Sequence, residues 1–179
     1  MKRKILGLLI IIVSTQACKK TTVDAEENEL ITTVKLNFTE GTDTKTFVWK
    51  DIDGEGGKNP VVDKISLKPN TSYTLNVEFW DESKSPADNI TTEINSQSDE
   101  HLLIFTASPT GLASYSYNDK DSNNLPVGLS GTLKTNGSGT GMLKVQLRHQ
   151  PPINGKNTKD GTATPGSDDA NVDFSLGVE

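Results

Sequence analysis

The chain is expected to be all-β, a single sandwich of two packed sheets with about eight or nine strands and one short helix. Three observations predict this. Apolar and polar residues alternate along much of the chain, from Leu30, Thr32, Val34, Leu36 and Phe38 to Val172, Phe174, Leu176 and Val178. Period two marks a strand with one face buried. Clusters of Gly, Asn, Asp and Pro break the pattern at short intervals, as turns require. Only one stretch carries apolar residues at helical spacing, and many short strands with little helix pack as two sheets.

The elements follow in order. A first strand over 30–39 ends at the turn Glu40-Gly41-Thr42-Asp43 and is followed by a strand over 46–50. Residues 51–57, Asp-Ile-Asp-Gly-Glu-Gly-Gly, form an acidic loop at a sheet edge. Strands over 61–67 and 72–80 come next. In 86–94, Ile90 and Ile94 stand at i,i+4 behind Asp88 or Asn89 as N-cap, which predicts the helix. Further strands cover 101–107, 112–117, 127–135, 142–149 and 171–178, with a loop over 151–169. Gly137-Ser138-Gly139-Thr140-Gly141 precedes a strand, so a hairpin turn is expected there; a phosphate cradle needs a helix N-terminus. Trp49 and Trp80 lie on strands and are expected in the core.

Leu67, Pro69 and Tyr73, within Ile65-Ser66-Leu67-Lys68-Pro69-Asn70-Thr71-Ser72-Tyr73, resemble the tyrosine corner of fibronectin type III and other immunoglobulin-like domains. The resemblance implies an immunoglobulin-like sandwich in which the Tyr73 hydroxyl bonds back to the chain just upstream.

The N-terminus speaks of location. Lys2, Arg3 and Lys4 precede an apolar core from Ile5 to Val13, and small residues lead to Cys18, the sole cysteine. That core is too short to cross a hydrocarbon layer, which takes about 20 residues. It suits a secretory signal over 1–17. Thr15-Gln16-Ala17-Cys18 resembles a bacterial lipobox, which implies cleavage before Cys18 and its acylation. Residues 18–28 then form the lipidated cysteine and a polar tether, and 29–179 form the sandwich domain. The acids Asp24, Glu26, Glu27 and Glu29 resemble the surface-export signal of Bacteroidota lipoproteins; a solvated linker is the alternative. Removing the signal takes away three cations and no acid, which leaves 15 cations against 24 acids and a net charge of −9. Such a surface repels nucleic acid and anionic headgroups. The expected partners are therefore the membrane, through the lipid alone, and an outer-membrane receptor, with no nucleic acid.

Glu-Leu-Ile-Thr-Thr-Val-Lys-Leu-Asn-Phe (29–38), the 51–57 loop, the segment 67–79 from Leu67 to Phe79, Ser-Asp-Glu-His (98–101), the segment 117–129 from Tyr117 to Leu129 and the segment 143–151 from Leu143 to Pro151 together resemble a group of short Bacteroidota lipoproteins. Members are sometimes labelled type 1 periplasmic binding fold proteins. That fold is two-lobed α/β, whereas the pattern here is nearly all strand. The resemblance implies an anchored envelope protein and no activity.

Two constellations are candidates for cation chemistry. His101 and His149, the only histidines, stand at the ends of two strands. Were those ends adjacent, the pair would offer zinc two imidazoles, with Asp99 or Glu100 as a third ligand. The alternative is a pair of strand-end histidines bonding carbonyls or facing water. Asp119, Asp121 and Asn123 alternate as in a calcium loop, but Asn124 stands where an EF-hand has Gly and Ser130 where it has Glu. The alternative there is a polar turn. No Gly-x-Ser-x-Gly or His-Glu-x-x-His occurs, and no thiol follows Cys18. The expected function is a lipid-anchored, outer-membrane-associated module that binds or assists without catalysis, with a divalent metal binder (zinc or calcium) as the alternative.

Overall fold

The structure, a computed structural model, describes residues 29–54 and 56–179. The expected signal over 1–17 and the Cys18 tether over 18–28 lie outside the described residues. Among the described residues no helix is long and apolar enough to cross a membrane.

Ten strands form two sheets. β1 (Thr33–Glu40) turns at Gly41-Thr42, where Gly41 has φ +62°, and returns as β2 (Asp43–Lys50). β3 (Val61–Val62) pairs with the end of β2, and β4 (Ile65–Leu67) pairs in parallel with β10 (Ser167–Val178). The run expected as one strand over 61–67 is thus two short strands in different sheets, with the chain crossing between them at Asp63-Lys64. Asp63 fixes the crossing: its carboxylate accepts from the Val48 N–H at 2.9 Å, and its own N–H donates to the Val48 carbonyl at 2.9 Å.

β5 (Ser72–Trp80) lies between β1 and β8 (Ser130–Thr135), and β7 (Ala113–Tyr117) pairs with β8 at the far edge. The second sheet has the order β4, β10, β9 (Gly139–His149), β6 (His101–Ser108). β8 and β9 belong to different sheets, so the glycine-rich segment at 137–141 is a crossing and not the hairpin expected. Gly141 sits where β9 meets β6; a Cβ there would stand 2.1 Å from the Ser108 carbonyl oxygen.

The alternating residues fill the space between the sheets. Val34, Leu36 and Phe38 of β1 and Tyr73, Leu75, Val77 and Phe79 of β5 meet Leu143, Val145 and Leu147 of β9 and Val172, Phe174, Leu176 and Val178 of β10. Each fully buried side chain of this size contributes roughly 1.5–3 kcal/mol. The tyrosine corner forms: the Tyr73 hydroxyl accepts the Lys68 N–H at 2.9 Å. Trp49 packs on the core as expected. Trp80 does not. It lies on the outer face, with its Nε1–H donating to Glu78 at 3.0 Å and the Lys35 ammonium 4.8 Å from the ring.

The helix α1 (Ile90–Ser96) is capped by Asn89, whose side chain accepts the Thr91 N–H at 3.1 Å. Its Ile90 and Ile94 are buried in the core. The Thr91 hydroxyl accepts from the Phe79 N–H at 2.8 Å and donates to the Phe79 carbonyl at 3.1 Å. It thereby takes the place of a strand where β8 has ended. The helix ends at Gln97, and a tight turn delivers the chain to His101 at the mouth of the second sheet.

Candidate metal centre

His101 opens β6 and His149 closes β9, and the antiparallel register sets them directly opposite one another. Directly opposed residues point to the same face, here the inner one. Their rings stack with centroids 4.9 Å apart and planes 5° apart, which is the spacing of neighbouring strands. The pair ends the inward rows Leu103–Phe105–Ala107 and Leu147–Val145–Leu143, so both imidazoles are buried, His101 completely.

The third member of the cluster is Asp169, which the sequence pattern did not single out. Strict alternation back from Val172 and Ala170 would turn Asp169 outward beside Asn171 and Asp173. The register shifts instead: Asp168 faces Arg148, Ala170 faces Leu147, and Asp169 is the extra residue between them. A bulge of this kind re-aims a side chain. Asp168 takes the outward place, held by Arg148 Nη1 and, at 2.9 Å, Gln146 Nε2. Asp169 turns in, its side chain wholly buried, with Oδ2 3.4 Å from His101 Nε2 and Oδ1 4.0 Å from His149 Nδ1. Ligand atoms of His101, His149 and Asp169 all lie within 4.8 Å of one another.

The hydrogen-bond roles are decided by the neighbours. His101 Nδ1 faces the Gln97 carbonyl at 3.0 Å. A carbonyl only accepts, so Nδ1 carries the hydrogen, and Nε2 meets Asp169 either as a lone pair or, with the ring protonated, as a second donor. His101 Nε2 faces Asp169 Oδ2 at 3.4 Å, and among the described residues no other donor reaches either oxygen of Asp169. Buried acceptors left facing one another cost free energy. A cation between them, metal or proton, removes that cost. For zinc, with Zn–N and Zn–O both near 2.0–2.2 Å, a tetrahedral angle sets two ligand atoms about 3.4 Å apart. The His101–Asp169 separation matches that edge, while His149 Nδ1 stands further off, 4.0 Å from Asp169 Oδ1.

His101 has a hydrogen-bond partner on the nitrogen that faces away from the cluster, and His149 has a carboxylate further off on that side. Gln97 holds His101 Nδ1, and Glu100 Oε2 lies 3.8 Å from His149 Nε2. A carbonyl or carboxylate on the far nitrogen is the usual way a metal-binding histidine is oriented. Of the two acids expected as third ligand, Glu100 thus stands behind His149, outside the triad. Asp99 lies in the turn before β6, and the cluster formed among the described residues does not include it.

An open cleft of about 580 Å³ reaches Asp169 from outside; Glu29, Ile31, Trp49 and Asp51 are among the residues lining it. Burial, and then the charges of Glu93 and Asp169, push the Glu29 carboxyl above its ordinary value, while His101 draws it the other way.

The acidic loop at 119–125 is organised differently from a calcium site. Both Asp119 oxygens accept backbone N–H groups, from Gly128 at 2.7 Å and Ser130 at 2.9 Å. Asp121 Oδ1 accepts from Asn123 at 2.8 Å and Leu125 at 2.9 Å, and Oδ2 lies 2.8 Å from the Lys159 ammonium. The Asn123 side chain is exposed. The carboxylates that a cation would need are spent on holding a turn, with Asn124 in the left-handed region at φ +63°. In the 51–57 loop, Asp51 and Asp53 likewise accept backbone N–H groups, from Gly54 and Lys58.

No protein-family model, curated protein or solved structure matches this chain.

Proposed function

We propose that the protein is a lipid-anchored lipoprotein of the bacterial outer membrane whose sandwich binds a divalent cation, zinc foremost, at His101, His149 and Asp169, and that it serves as a non-catalytic binding or accessory module for a transporter of that membrane. The observation that carries the metal reading is the burial of two imidazoles and a carboxylate together, with ligand atoms of all three within 4.8 Å of one another. Two imidazoles and one carboxylate form a borderline donor set that suits zinc, with copper and iron as competitors. Burial of the ligands favours holding a metal over presenting it to a large substrate. The signal and Cys18 support the anchor, and the acidic surface supports attachment by lipid alone.

The test is metal analysis and thermal melting of the full chain purified in detergent. Zinc at about 100-fold over its Kd adds about 2.7 kcal/mol. On a domain of this size that is a rise of roughly 5–11 °C. The rise is expected to vanish in Asp169→Asn and in His101→Ala. A wild-type protein with neither bound metal nor a shift on adding zinc refutes the reading. Mass spectrometry of the native protein tests the anchor: an unacylated Cys18 removes it.

A further inference from the structure

We infer that Glu29 supplies an exchangeable fourth ligand to the His101–His149–Asp169 centre, so that metal occupancy fastens the junction between tether and domain. The inference rests on the metal reading above and deepens it.

The geometry points to Glu29 in three ways. First, Glu29 and Asp169 line the same cleft, in which Asp169 exposes its backbone while its carboxylate lies buried just beneath, on the triad. Second, a divalent cation held by two neutral imidazoles and one carboxylate keeps a net positive charge in a site closed on its other sides. A second carboxylate neutralises it, and a buried charge persists only when compensated. Glu100 does not fill this role, because it lies against His149 Nε2 while Nδ1 faces Asp169. Third, Glu29 lies ahead of the first ladder bond of the sheet. The strand ladder begins at Thr33, and the Thr32 N–H bond to the Trp80 carbonyl at 3.0 Å marks where the chain joins the sheet. Glu29 lies three residues before that bond. It can swing toward Asp169 without disturbing the register of β1, whereas the triad is fixed by three paired strands.

The consequence is a coupling of ligand and tether. With metal bound, Glu29 is drawn onto the end of the sandwich; without it, Glu29 is released while Ile31 stays packed on the core. A centre with three fixed ligands and one mobile one also gives its metal a route out, through displacement of Glu29 by an incoming donor.

The test uses the full chain in detergent with zinc chloride and, as a spectroscopic probe, cobalt(II) chloride. Wild type, Glu29→Gln, Asp169→Asn and, as a nearby-acid control, Glu93→Gln are compared by chelator competition, cobalt d–d absorption and hydrogen exchange of the Leu30 amide. Glu29→Gln is expected to weaken zinc binding by about tenfold or more, to change the cobalt spectrum, and to abolish the zinc-induced slowing of exchange at Leu30. Its metal-free melting temperature should equal that of wild type. Glu93→Gln should behave as wild type. Equal zinc affinity and the same cobalt spectrum in Glu29→Gln overturn the inference while leaving the three-ligand centre standing. Absence of zinc and cobalt binding in wild type overturns both.

Discussion

Replacing Lys159 by Met tests the reading of the 119–125 loop as a structural turn held from a distance. The Lys159 ammonium lies 2.8 Å from Asp121 Oδ2, with 1% and 0% of the two side chains exposed, and it donates to the Ser98 carbonyl at 2.8 Å. One side chain therefore ties the 151–166 loop to the 119–125 loop and to the turn that precedes β6. At an effective dielectric of about 20 the pair attracts by about 6 kcal/mol, against a desolvation penalty of several kcal/mol for each ion. Removing one partner of a buried pair leaves the other charge uncompensated and typically costs about 3–5 kcal/mol. At about 2–4 °C per kcal/mol, Lys159→Met should lower the melting temperature by roughly 6–20 °C at neutral pH. Lys159→Met with Asp121→Asn should cost less than Lys159→Met alone, since no charge is then stranded and the side-chain oxygen still accepts from Asn123 and Leu125. The assay is circular-dichroism melting of metal-free protein across a pH series. Burial pushes the Asp121 carboxyl up, but Lys159 and the N–H groups of Leu125 and Asn123 outweigh it and hold the group below the ordinary carboxylate range. A depressed carboxyl stabilises the fold above its unfolded value of about 3.9, and that contribution is lost as pH falls through the lower folded value. Wild type should therefore hold this contribution down to about pH 4 and lose it below, whereas Lys159→Met should already lack it at neutral pH. A loss under about 1 kcal/mol, or a double variant less stable than Lys159→Met, refutes the reasoning.

Three further outcomes are expected. Tyr73→Phe removes the acceptor of the Lys68 N–H and should cost about 1 kcal/mol, or roughly 2–4 °C of melting temperature, with no effect on zinc. Glu100→Ala should weaken zinc about 10–100-fold in chelator competition while keeping one metal per chain, because it removes the carboxylate behind His149 and not a ligand. Gly141→Ala sets a methyl 2.1 Å from the Ser108 carbonyl and forces β9 away from β6, which should cost at least about 1–3 kcal/mol in denaturant unfolding.

Most of the fold was legible because burial on one face of a strand writes itself into alternate residues. Leu36, Leu75, Val145 and Phe174 declare their strands this way. What escaped was whatever departs from that period. The 61–67 run alternates only over Ile65-Ser66-Leu67, and its break at Asp63-Lys64 marks two halves that serve different sheets, because Asp63 bonds the β2 backbone and sends the chain across. Trp80 has the composition of a core residue, but its indole N–H finds Glu78 and its face finds Lys35 on the outer surface. The crossing at 137–141 uses the same glycines a hairpin would, and pairing partners are not written locally. The candidate centre was half legible: two lone histidines at strand ends are visible, and their juxtaposition depends only on register. Asp169 was not visible, because a bulge reverses the inside and outside of every residue before it. Asp168-Asp169 ahead of the alternating Ala170-Val172-Phe174 run is the one local trace, two acids of which only one can face out.

β10 lies between β4 and β9, so it is an inner strand of its sheet and the last of the ten to be synthesised. Until residues 167–178 leave the ribosome, β9 has no neighbour on one side, β4 has no place to pair, and the lower half of the core has no floor. Asp169 arrives with the same segment. A growing chain therefore has neither a finished second sheet nor an assembled His101–His149–Asp169 cluster, and a nonsense mutation upstream of position 167 abolishes both together. The candidate centre, on this order of events, forms only once residues 167–178 have joined the second sheet.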